Sequence, residues 1–325
     1  MERESVSTLR LHEDERLAVG TLADEFLASL DGDGDPTRMS AAASVAAQRL
    51  PERLRTFLAG VRTQSPAVTV LANLPIAADL APTPVGWELS AERRAGLREE
   101  AVLALCGAGL AEPFGWTSQQ AGRLVHDVCP TPEAGDSLTS ASSTRELNFH
   151  TEDVFHPCRA DYVALLCLRN PTQVGTTYVR ADALELTDEV REVLFQERFR
   201  FFPDDSHQID AGSGDDPAEA PSGAVLYGPR EAPYLRFDLD FMEPLPDDGP
   251  AAAAVDAVQK TLGRHIERVA LAPGELVFID NHQVVHGREP FHCRFDGTDR
   301  WLKRVNLTRD ARRISALTGQ RSVLV

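Results

Sequence analysis

The residues best equipped for chemistry lie in two short segments. In ELNFHTEDVFHP, His150 and Glu152 flank Thr151. In an extended chain, residues i and i+2 project from one face, so this imidazole and this carboxylate can share one ion. The triplet alone is weak, because nine histidines and 50 acidic residues make it easy to meet by chance. A later segment, LVFIDNHQVVHGREPFHCRFDGTDRWLKR, adds His286 after an apolar run and a turn, with Arg300 14 residues beyond. Two imidazoles and a carboxylate on one face of an octahedron leave the opposite face open, which suits iron(II) with a bidentate cosubstrate and dioxygen. The same ligands could also hold a hydrolytic zinc. Arg300 favours the first, since a planar guanidinium fork is the natural clamp for the far carboxylate of 2-oxoglutarate.

These residues need a rigid frame. From about residue 120 the chain carries short β-rich runs at 123–128, 160–168, 176–180, 224–228, 276–280 and 302–308, separated by turn residues. That texture predicts a sandwich or jelly roll. The apolar stripes of 181–196 and 251–270 predict two helices that interrupt it. Upstream, Ala and Leu recur at spacings of three and four over Glu13–Leu30, Ser40–Val61 and Ala91–Leu110, which predicts a helical scaffold over 1–115. The whole reads as one α+β domain over 1–325, with a catalytic core over 116–313. Residues 204–223 are rich in Asp, Gly, Ser and Pro, cannot build core, and are read as a lid loop.

Composition excludes several classes of function. A net charge of -17 argues against nucleic acid and against anionic membrane as partners, and leaves a cationic small molecule compatible. Five scattered cysteines without a CxxC pair fit reduced thiols in a cytoplasmic protein. The charged N-terminus has no secretory apolar region, and no long apolar run predicts a membrane span.

The segments HTEDVFHPCRADYVALLCLRNP and FIDNHQVVHGREPFHCRFDGTDRWLKRVNLTRD resemble the clavaminate synthase-like branch of the 2-oxoglutarate oxygenases. The likeness extends over about residues 50–313, including FGWTSQQAGRLVHDV, ASSTREL, EVLFQERF and PDDSH. Within the branch the chain is most similar to free-amino-acid hydroxylases of peptide-antibiotic pathways, in particular the L-arginine 3-hydroxylases of the viomycin kind. The resemblance implies a double-stranded β-helix, or cupin-like jelly roll, with flanking helices. It implies iron(II) on His150, Glu152 and His286, with 2-oxoglutarate and O2 as cosubstrates. Arg300 and Thr177 would hold the distal carboxylate of 2-oxoglutarate.

For the amino-acid substrate the resemblance implies Gln119 at the amino group, Leu138 and Ser140 along the pocket, Glu152 bordering it, and Arg304 at the carboxylate. Asp204, Asp238 and Asp240 would read a guanidinium. In a strand, Arg300 and Arg304 share a face, and so do Asp238 and Asp240. Two like carboxylates side by side are unfavourable unless a cation joins them or water covers them. The implied reaction is hydroxylation of L-arginine at C3, giving succinate and CO2. The run Arg198–Pro203 and the lid depart from the arginine-hydroxylase pattern. This leaves C4 hydroxylation, double hydroxylation and desaturation open, and also lysine, citrulline or a cyclised arginine as substrate. A zinc hydrolase and a non-catalytic jelly-roll binding module are the readings from other classes. The sequence does not determine an oligomeric state.

Overall fold

The computed structural model describes residues 6–30, 35–132, 143–144, 146–207, 222–319 and 322–325. Among these residues the chain is α+β. Five helices lie in the first third: α1 (Glu13–Ser29), α2 (Pro36–Ala46), α3 (Glu52–Gln64), α4 (Trp87–Arg93) and α5 (Leu97–Leu110). Three follow later, α6 (Asp188–Leu194), α7 (Gly249–Leu262) and α8 (Arg312–Thr318).

The largest sheet has seven strands: β1 (Val6–Arg10), β2 (Val68–Ala72), β3 (Glu112–Phe114), β4 (Val125–Val128), β6 (Tyr162–Arg169), β14 (Leu276–Asp280) and β16 (Trp301–Thr308). Its order is β1-β2-β14-β6-β16-β3, with β4 also paired to β16. A four-stranded sheet holds β5 (Leu147–His150), β7 (Thr176–Arg180), β13 (Glu267–Val269) and β15 (Val284–Arg288), in the order β13-β7-β15-β5. A small three-stranded sheet is made of β8 (Phe199–Phe201), β9 (Ser222–Gly223) and β12 (Met242–Pro244), and a hairpin of β10 (Leu226–Tyr227) and β11 (Tyr234–Leu235).

Burial on both faces explains the apolar runs. In β6, seven of the eight residues are buried. Val163, Leu165 and Cys167 pack with Val70, Val277 and Leu302 and with Tyr178 and Val284 of the four-stranded sheet. Ala164, Leu166 and Leu168 pack on the other side with Leu22, Phe26, Leu58 and helix α5. A strand covered on both faces loses polar alternation. Helix α5 is apolar nearly all round because it lies between this sheet and α1–α3. Helices α6 and α7 cover the outer face of the four-stranded sheet through Leu194, Val258 and Leu262 against Val179 and Val285.

Several expected elements are shorter or divided. The single helix expected over Ser40–Val61 is broken before Pro51, where Leu50 takes an extended ψ of 151°, as the residue before a proline prefers. The helix expected over Ala91–Leu110 is interrupted at Arg94 and Gly96, both left-handed. Over 181–196 only Asp188–Leu194 is α-helical, starting at the Thr187 cap. Over 251–270 the helix stops at Leu262 and strand β13 follows. The first third is not helix alone. Strand β2 is buried throughout and pairs with β14, so this part of the chain contributes to the same sheet as the later core strands. No helix among the described residues is long and apolar enough to cross a membrane. Of the expected lid over 204–223, residues 208–221 lie outside the described residues.

Candidate active site

His150 closes β5, and His286 sits in β15 directly opposite it in antiparallel register. Their rings lie 4.4 Å apart, centroid to centroid. Glu152 does not continue the strand, because β5 ends at His150 and Glu152 opens a turn. Its Oε2 is 3.7 Å from His150 Nε2 and 3.6 Å from His286 Nε2. The donor atoms of all three residues lie within 4.8 Å of one another, close enough for a single ion to touch all of them. Gly287 is required between the ligand and Arg288, because a Cβ there would run into the Leu147 carbonyl where β5 crosses close.

The electrostatics favour a cation at this point. Burial would raise the Glu152 carboxyl, but Arg304 and the two imidazoles hold it well below the usual range. Burial would lower His150, but the Glu152 and Asp238 carboxylates outweigh it and raise it to about 9. Burial lowers His286, helped by the neighbouring His150, so its imidazole stays neutral. The His150 Nδ1–H donates to the Asn148 carbonyl at 2.8 Å, which turns Nε2 toward the carboxylate. A negative carboxylate between two imidazole nitrogens, pulling a proton into the gap, fits a divalent metal.

The donors open into a cleft whose wall includes Val128, Val163, Leu165 and Leu302. Three arginines line it, Arg288, Arg300 and Arg304. Arg300 is 6 % exposed, its Nε has no hydrogen-bond partner, and burial lowers it to about 10. Arg300, Leu302 and Arg304 all line the cleft, as residues alternating along one strand face should. Arg304 pairs with Glu152 Oε1, and its Nη2 donates to Gln119 Oε1 at 3.3 Å and to His126 Nδ1 at 3.1 Å. Gln119 is buried and donates to Ser206 Oγ at 2.6 Å.

Asp204, Asp238 and Asp240 also line the cleft, with Asp204 on the Arg304 side, where Ser206 Oγ donates to it and accepts from Gln119. The two later aspartates are not alternating strand residues. Asp238 makes an isolated bridge to His150, and its Oδ1 accepts from the backbone N–H of Asp240 (2.8 Å) and Phe241 (2.9 Å), so a side-chain-capped turn aims the pair. Burial raises Asp238 to about 6. Asp240 is exposed and accepts from Asn148 Nδ2. Asp204 accepts from the Ser206 backbone N–H at 2.8 Å.

One expected residue is displaced by its neighbour. In register, Thr176 pairs with Arg288 and Tyr178 with His286, so Thr176 shares the face of the cleft and lines it. Thr177 pairs with Gly287 on the opposite face, where its hydroxyl is buried without a partner. The period of a strand is two, so a choice one residue off reverses the side. Leu138 and Ser140 lie outside the described residues. Sequence reasoning missed Thr176, Asn148, Ser206 and Arg288 in the wall, and His126 and His207 behind it. The HGR spacing puts Arg288 on the face of His286, a signal that strand alternation could have used.

Comparison with known proteins agrees with this geometry. Residues 95–306 match the family described as taurine catabolism dioxygenase TauD, TfdA family. The enduracididine beta-hydroxylase of Streptomyces hygroscopicus is 38% identical over 327 residues, covering 94% of this chain and 95% of its own. The L-ornithine/L-arginine 3-hydroxylase of Catenulispora acidiphila is 37% identical over 325 residues, covering 94% and 95%. The crystal structure of the non-heme iron oxygenase OrfP with Fe, succinate and (3S)-hydroxy-L-Arg superposes with a TM-score of 0.89 at 37% identity, covering 98% of this chain and 99% of that one. With a matching family over most of the cleft-forming strands and relatives aligned nearly end to end, the chain belongs to the TauD/TfdA family of non-haem iron, 2-oxoglutarate-dependent dioxygenases.

Proposed function

We propose that this enzyme hydroxylates a free basic amino acid, L-arginine at C3, with 2-oxoglutarate and O2, giving succinate and CO2. The observation that carries the reading is a cleft lined by both guanidinium groups and carboxylates around the three-donor cluster. An α-amino acid with a cationic side chain is complementary to both kinds of group. The relatives support the substrate class, since one is named for L-ornithine and L-arginine and OrfP was crystallised with a hydroxylated arginine.

In this reading His150, Glu152 and His286 hold iron(II), which together with 2-oxoglutarate and O2 supplies the oxidising power for an unactivated C–H bond. The protein does the placing. Arg300, with the Thr176 hydroxyl nearby on the facing sheet, takes the distal carboxylate of 2-oxoglutarate; a buried guanidinium without an acid partner is costly until an anion arrives. Arg304 and Gln119 take the carboxylate and amino group of the substrate. Asp238, with Asp204 and Asp240, takes the guanidinium and thereby fixes which carbon faces the metal. Val128, Val163, Leu165 and Leu302 exclude water from the reacting end.

We further read the seven- and four-stranded sheets as the two faces of a double-stranded β-helix, and 1–325 as one domain, because β2 and β16 join the first and last thirds in one sheet. The test is turnover. Metal-reconstituted protein should release succinate from 2-oxoglutarate faster with L-arginine, and the product should gain one oxygen, assigned to C3 by NMR. His286→Ala should abolish it. The absence of stimulation by any basic amino acid would overturn the substrate. The 38% identity to an enzyme named for enduracididine favours a cyclised arginine as the second reading, and the same assay distinguishes the two.

A further inference from the structure

We propose that Asn281 is a positioning residue for the metal centre, holding Glu152 at its ligating position. The inference rests on the reading of His150, Glu152 and His286 as metal ligands. Glu152 has lost the support of a strand: β5 ends at His150, and Asp153, the next residue, is left-handed at φ 53°. The backbone of Glu152 therefore has no ladder partner, and its amide and carbonyl must be satisfied otherwise.

Asn281 satisfies both. Its Oδ1 accepts the Glu152 N–H at 2.7 Å, and its Nδ2 donates to the Glu152 carbonyl at 3.0 Å and to the Ala160 carbonyl at 3.0 Å. Its own N–H donates to the Asp161 carbonyl at 3.0 Å. The side chain is 0 % exposed, so water cannot replace these bonds. Asn281 lies in the turn between β14 and β15, the strand that carries His286. One amide thus ties the segment of the carboxylate ligand to the hairpin of the distal histidine, which are 134 residues apart in sequence.

No other side chain meets this demand. Aspartate keeps the acceptor but loses both donors, and adds a negative charge beside buried Glu152 and Asp153. Glutamine is one methylene too long for a fully enclosed position. Residues that orient ligands in this way typically change metal affinity about 10- to 100-fold when replaced.

The experiment titrates metal-free protein with Co(II), followed by its visible absorption, in wild type, Asn281→Ala, Asn281→Asp and the control Asn170→Ala. Asn170 is buried and makes a matching set of three bonds, to Val174 N–H, the Val174 carbonyl and the Leu271 carbonyl, between β6 and β7. Both alanine variants should melt earlier, but only the Asn281 variants should bind Co(II) at least about 10-fold more weakly and with an altered spectrum. Wild-type Co(II) affinity in an Asn281 variant, or an equal loss in Asn170→Ala, would overturn the inference. If the Asn281 variants do not fold, hydrogen exchange of the wild-type Zn(II) form decides it, because the Glu152 amide must be protected, and rapid exchange there overturns the inference. Failure of wild type itself to bind one Co(II) that His286→Ala loses would instead overturn the ligand reading.

Discussion

His150 and His286 face each other as a direct cross-strand pair between β5 and β15, with their ring centroids 4.4 Å apart. Cross-strand neighbours share a face of the sheet, so register alone brings two ligands together from segments distant in sequence. Groups that act as one unit are non-additive. His150→Ala, His286→Ala and the double variant are therefore expected to show the same residual succinate release and the same loss of bound metal. A single variant retaining stoichiometric iron would contradict this.

The two threonines of β7 give a sharper test of the cosubstrate end. Thr176→Val removes a hydroxyl from the face of the cleft and should raise the KM for 2-oxoglutarate about fivefold, the worth of about 1 kcal/mol for one hydrogen bond. Thr177→Val replaces a buried hydroxyl that has no partner and should leave that KM unchanged while holding or raising the melting temperature. Steady-state kinetics and thermal melts on the two variants read both outcomes.

Asp238 should make substrate affinity depend on pH. Burial raises its carboxyl from 3.8 to about 6, against the pull of His150. The folded state therefore binds the proton more tightly than the unfolded chain. The contribution of this group to stability is fully present below 3.8 and falls as pH rises to about 6. In the proposed binding mode the carboxylate, charged above about 6, would meet a cationic side chain, so the KM for L-arginine should climb as pH falls through that value. Asp238→Asn should raise KM and flatten this dependence.

Behind the cleft wall, Lys303 is fully buried and donates to Glu100 at 2.7 Å, with Asp127 at 2.6 Å. Lys303 pairs in register with Asp127, and Arg304 with His126, so the ion pair on the back of β16 holds the register that points Arg304 into the cleft. Lys303→Met leaves two buried carboxylates with Arg123 as their remaining cation, and is expected to cost about 3 to 5 kcal/mol, seen as a lower midpoint in chemical denaturation.

Much of the site is legible in one dimension. The apolar runs of β6, β7, β14 and β16 stand out, as do His150, Glu152, His286 and Arg300, because ligand and clamp chemistry restricts residue type strongly, whereas Arg304 came only with the family resemblance. Helix breaks are less legible, since the left-handed Arg94 carries no side-chain signal for its conformation. The aspartates at 238 and 240 reach one wall by a capped turn, although their spacing suggests a strand.

The sequence by itself determined which groups could bind a metal, a dicarboxylate and a cation, because those are properties of side chains. Tertiary structure decided which threonine faces the cleft, that Arg304 pairs with Glu152, and that Asn281 grips Glu152. Strand register and the choice of partner for a buried amide depend on which segments meet in space. Local periodicity records only that a strand is buried, and a strand such as β6, covered on both faces, does not even mark its inner side.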